Sequence, residues 1–197
     1  MRTIHGSYQL GEEQGEYSLL VYPDEPVTTQ LQYARTLMLK TGVADRCHRE
    51  RPAICLAHFL AKEVMEPTLI RWIQNICRLH ASFPLALNGV ELTSTQGLSV
   101  GLSETDALVR LAQALRILDP FMESNNCPPL YLEPRPSLPL LHKVSLPLLE
   151  ELRPALTTLD FSERFQVEKL VLVRHDRASG SQQLINTFAL TARQVTE

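Results

Sequence analysis

The stretch PAICLAHFL (residues 52–60) constrains this chain more than any other. Strand side chains alternate between two faces, so a run that is apolar at odd and even positions alike must be covered on both. Such a strand belongs inside a sheet. His58 interrupts it, and an imidazole there must either find hydrogen-bond partners within the fold or open onto a cleft. A second run, PLLHKVSLP (139–147), poses the same question with His142.

The elements around the two runs follow one order. EYSLLVYP (16–23) reads as a strand stopped by Pro23. Asp24 is an N-cap, and Val27, Leu31, Ala34 and Met38 recur at helical spacing until Gly42. After the first histidine strand, Pro67 opens a helix with the stripe Leu69, Ile73, Ile76 and Cys77. FPLALNGVELT (83–93) and QGLSVGLS (96–103) then read as two strands. Ser103, with Asp106 three residues on, resembles a capping box opening a helix that carries Leu108, Leu111, Leu115 and Leu118. Residues 119–139, rich in proline and asparagine, read as a connector. Beyond it come the His142 strand (140–146), a helix over 147–159 that Pro154 limits, and FQVEKLVLVRHD (165–176) paired with QQLINTFAL (182–190). Helix, histidine strand, helix and two strands therefore occur twice. The pattern implies an internally duplicated α+β architecture, two lobes whose sheets share a cleft. The expected layout is a flexible N-terminal arm over 1–15 and a single two-lobed domain over 16–197.

Composition narrows the function classes. The 197 residues carry a net charge of −3, which excludes the polybasic surface behind non-specific nucleic-acid binding. No extended nucleic-acid groove is expected. No apolar run reaches transmembrane length and no leader opens the chain, so the expectation is a cytoplasmic protein with no membrane partner. Four cysteines show no CxxC spacing. Cys55 and Cys77 read as small hydrophobes, and Cys47-His48 lacks the further ligands of a zinc site.

At this point the chain resembles the two-histidine (2H) phosphoesterases, which include the 2'-5' RNA ligase-like cyclic phosphodiesterases. Members carry two His-x-Thr/Ser motifs, each on a strand, one per lobe. The resemblance covers roughly 16–192, with RPAICLAHFLA in the first motif's place and PLLHKVSLP in the second's. It implies two antiparallel sheets around a central cleft with helices outside. Both motifs are altered. Leu60 and Val144 stand where the family has hydroxyls, and Ser145 points away from His142's face unless a bulge re-aims it.

The resemblance implies metal-independent hydrolysis of a 2',3'-cyclic phosphate, or action on a 2'-5' linkage, in a small RNA or nucleotide. His58 and His142 would serve as the catalytic pair, one neutral as base and one protonated as acid. Leu60, Val144, Ser145 and Lys143 mark the substrate-binding positions; Lys62, Arg153 and Arg135 are further cations near the motifs. Neither metal nor cofactor is called for, and a monomer is expected. The alternative is a catalytically weak or inactive protein of the same fold that binds a nucleotide or another phosphorylated ligand. His5, His48, His80 and His175 read as surface or structural residues, and Trp72 as partly buried against its neighbours.

Overall fold

The apolar runs of the sequence become nine strands among the described residues, all paired antiparallel within two sheets. The computed structural model describes residues 14–39, 51–93, 97–141, 161–176 and 180–192, with helical positions at 147, 150–152 and 156. The strands are β1 (Gln14–Val21), β2 (Ile54–Lys62), β3 (Phe83–Leu92), β4 (Leu98–Ser103), β5 (Tyr131–Leu132), β6 (Leu138–Leu141), β7 (Arg164–Val167), β8 (Lys169–His175) and β9 (Gln182–Ala189). One sheet runs β5-β2-β1-β8-β9 and the other β6-β4-β3-β7. Each sheet thus takes strands from both halves of the sequence. The repeated order of elements does not map one half onto one sheet.

Helices α1 (Glu25–Leu39), α2 (Glu66–Arg78), α3 (Asp106–Ala114) and α4 (Asp119–Ser124) cover the sheets. Every stripe residue expected of the first three helical segments is buried. Asp24 caps α1, its Oδ1 accepting from the Val27 amide at 3.2 Å. Side chains from both sheets and all four helices merge into one contiguous core. On its wall Tyr17 stacks on Phe59 at 5.4 Å across the β1–β2 pair, the kind of cross-strand contact that pins register.

Three expectations need correction. Residues 119–139 are not a bare connector, because they form α4, β5 and the first part of β6. FQVEKLVLVRHD is not one strand. It breaks at Glu168 into β7 and β8, which lie in different sheets, so the chain crosses between layers there. The supposed Ser103 capping box is absent, since α3 starts after Thr105 with no side-chain cap.

Candidate active site around His58

β2 lies between β1 and β5, so His58 sits on an interior strand as its flanking apolar residues require. The local register explains what surrounds it. Leu19 pairs with Ala57 and Leu20 with Cys55, which leaves Leu56 as an extra residue in β2. This β-bulge buries both Leu56 and Ala57 and reverses the alternation around them. Cys55 and His58, three residues apart, therefore share a face with Leu60 and Lys62. Regular alternation would have separated Cys55 from His58, which is why the sequence concealed the pair.

Both ring nitrogens of His58 have partners. Ser18, on β1 directly opposite, places its Oγ 2.8 Å from Nδ1. Cys55 Sγ lies 3.0 Å from Nε2. Ser18 Oγ also lies 2.8 Å from Nε2 of His175, on β8 at β1's other edge. A hydrogen-bonded row of Cys55, His58, Ser18 and His175 thus crosses three strands. Ser18 is wholly buried, whereas the other three are half-buried. Burial, reinforced by the facing His175, holds the His58 pKa below its usual value. Burial and the Glu133 carboxylate push the Cys55 thiol up to about 12.

At the His175 end of the row the same face opens into a cavity of about 830 Å³. Gln14, Glu16, Lys62, Arg174, His175 and Gln183 are among its walls, and Glu16 pairs with both Leu60 and His175 across the sheet. Arg174 is committed to Glu63 at 2.6 Å and Glu66 at 3.4 Å. At the other end the face turns apolar, with Leu20, Val171 and Val173 packed together beside Tyr22. Tyr131 of β5 flanks His58 on its remaining side. The surface therefore offers an imidazole between a polar cavity and an apolar shelf. Among the described residues, no three metal-ligating side chains converge.

The expected site residues fare unequally. His58, Leu60 and Lys62 share one face, as strand alternation predicts. His142, Lys143, Val144, Ser145 and Arg153 lie outside the described residues. Among the described residues, β6, whose last residue precedes His142, lies at an edge of its sheet. Pro139 within it has no amide to give a ladder, and proline is confined to such edges. His175, first read as a surface or structural residue, belongs to the His58 row. Ser18 was not singled out at all. The signal for it was its place in a strand otherwise apolar around it, at SLLV.

Comparison with solved structures sets this geometry in a wider frame. E. coli LigT complexed with ATP aligns over 91% of this chain and 99% of its own, with a TM-score of 0.65 and 16% identity. This chain shares the fold of that structure. TT0787 of Thermus thermophilus aligns over 91% and 100%, with a TM-score of 0.64 and 18% identity. LigT complexed with 3'-AMP gives a TM-score of 0.65 at 17% identity, again over 91% of this chain and 99% of its own. No family model and no curated protein matches the sequence.

Proposed function

We propose that this chain is a divergent 2H phosphoesterase that opens a 2',3'-cyclic phosphate, or acts on a 2'-5' linkage, in a nucleotide or small RNA without a metal ion. One observation carries the reading above the others: in a chain with the LigT fold, His58 sits half-buried on an interior strand, its Nδ1 anchored by a buried hydroxyl. An imidazole so anchored directs Nε2 at the Cys55 thiol, which must turn aside before Nε2 takes a proton, and a low pKa keeps the ring neutral, as a general base must be. His142 supplies the acid. Lys62, two residues beyond Leu60 on the same face and in the cavity wall, supplies positive charge to the phosphate.

Leu60 in place of a hydroxyl predicts a slow enzyme. One preorganised donor to a developing oxyanion is worth roughly 2.7–4 kcal/mol. Hydrolysis of 2',3'-cyclic AMP by wild type and variants tests the reading. His58→Ala and His142→Ala should each abolish turnover. Leu60→Thr should raise it by about ten-fold or more, because threonine restores a donor beside the imidazole. Equal rates in wild type and His58→Ala would rule the enzyme out.

A second reading has an observation of its own. The Cys55 sulfur already occupies Nε2, so the site can hold a nucleotide while His58 stays engaged within the protein. A nucleotide that raises the melting temperature without being turned over would favour this binding protein.

A further inference from the structure

Ser18 has one proton and two imidazoles beside it, each at 2.8 Å from its oxygen. A hydroxyl donates once, so one of these nitrogens accepts and the other donates its own N–H. Cys55 decides which. Its thiol stays protonated and has two acceptors in reach, Nε2 at 3.0 Å and the Ala57 carbonyl at 3.5 Å; with S–H on the nearer one, the neutral His58 ring carries its proton on Nδ1. Nδ1–H then donates to Ser18, and Ser18 O–H donates to Nε2 of His175. All the bonds point one way, from Cys55 to the cavity wall. Since Ser18 is fully buried, no substrate touches it, and whatever it does passes through the two rings.

We propose that Ser18 and His175 are positioning residues for His58: they hold its proton on Nδ1, leave Nε2 as the base, and carry the charge of the protonated ring out to the cavity. This rests on reading His58 as half of an acid–base pair, and it assigns the halves, His58 as base and His142 as acid. When the attacking water loses a proton to Nε2, the thiol turns toward the Ala57 carbonyl, 3.5 Å away. The Nδ1–H bond breaks as Ser18 Oγ takes that proton, and the Ser18 proton passes to His175 Nε2. One proton enters the row at Nε2 of His58, and the row holds the added charge at its other end. His58 ends neutral with its hydrogen on Nε2, and His175 ends as an imidazolium next to Glu16. The ionisable groups around His58 are Glu16 from β1, His175 from β8, Cys55 and Lys62 from its own strand, and Tyr131 and Glu133 from β5 and the residue after it. His175 faces Glu16 and, within the cavity, Lys62 and Asp176.

Imidazole nitrogen NMR of the full chain against pH tests the relay without needing activity. In wild type, the neutral form of His58 should carry its hydrogen on Nδ1. His175→Gln, a change at the cavity wall that spares the core, should raise the His58 pKa, because a facing charge is lost. Ser18→Ala should weaken the tautomer preference, because Nδ1–H loses its acceptor, and Ser18→Thr should restore it. A wild-type hydrogen on Nε2, or a His58 titration that ignores His175→Gln, overturns the proposal. In the cyclic AMP assay, His175→Gln should lower kcat with KM unchanged and move the acid limb of the rate profile to higher pH. If wild type has no turnover while the NMR results hold, the enzymatic reading fails and the hydrogen-bonded row stands.

Discussion

At the scale of single residues, the charge state of this face is set by burial. The neutral form of His58 is favoured in the folded chain, so its pKa lies below the unfolded value of about 6.5. The sign follows directly. Stability from the neutral ring is fully present above pH 6.5 and is lost as pH falls through the folded pKa, where the unfolded chain binds the proton more readily. The wild-type melting temperature should therefore fall on acidification from pH 7 toward 5, and His58→Gln should remove part of that fall. A scan of melting temperature against pH for both proteins checks this. Cys55 offers a second test. With its thiol pushed up to about 12, it should resist iodoacetamide at neutral pH despite being only half-buried, and mass spectrometry of labelled peptides reads this out. Rapid alkylation at Cys55 would mean a thiolate, and with it a reversed hydrogen-bond direction at His58. His58 itself was legible in the sequence because an imidazole stands out in an apolar run. Its partners were not. Ser18 reaches it from 40 residues upstream, and His175 joins through Ser18, 157 positions along the chain from that serine, separations that only strand register resolves.

Elements read from periodicity were legible almost throughout, since three or four apolar residues at helical spacing have one way to be buried together. Helix α2 is the clearest case, with Leu69, Ile73, Ile76 and Cys77 all in the core. Departures occur where a single residue changes the rule. The extra Leu56 reverses a strand's faces, and Glu168 ends one strand as the next begins in another sheet. Neither leaves a compositional trace. The junction between β1 and α2 carries its own prediction. Tyr17 is fully buried and donates its hydroxyl to Glu66 Oε1 at 2.6 Å. Tyr17→Phe keeps the stacking on Phe59 and removes that bond. The cost should be about 1.5–3 kcal/mol, the range for hydrogen bonds to charged groups, read from urea unfolding. A change well below about 0.5 kcal/mol would mean that Arg174 alone satisfies Glu66.

For the whole molecule, the duplicated order suggested one two-lobed domain, and its two antiparallel sheets each draw strands from both halves of the chain. β1 and β2 combine with β8 and β9, while β3 and β4 combine with β6 and β7. Topology of this kind is invisible to local pattern because it depends on which edges meet. It predicts that the halves cannot be separated. Residues 1–125 and 126–197 expressed apart should each remain unfolded, and the intact chain should unfold in one transition by both circular dichroism and tryptophan fluorescence. Two resolved transitions would argue for independent units.

Interleaving also has a consequence for the chain as it is being made. β1 leaves the ribosome well before its second neighbour β8, as the 157 positions between Ser18 and His175 illustrate. At roughly 5–20 residues per second, that interval is on the order of ten to thirty seconds. Throughout it the inner edge of β1 displays unpaired amides and carbonyls beside an apolar surface, a template for the wrong strand. A nascent chain arrested before residue 169 should therefore be held by chaperones or aggregate. One released after residue 189 has the last strand of that sheet and can close the edge for itself.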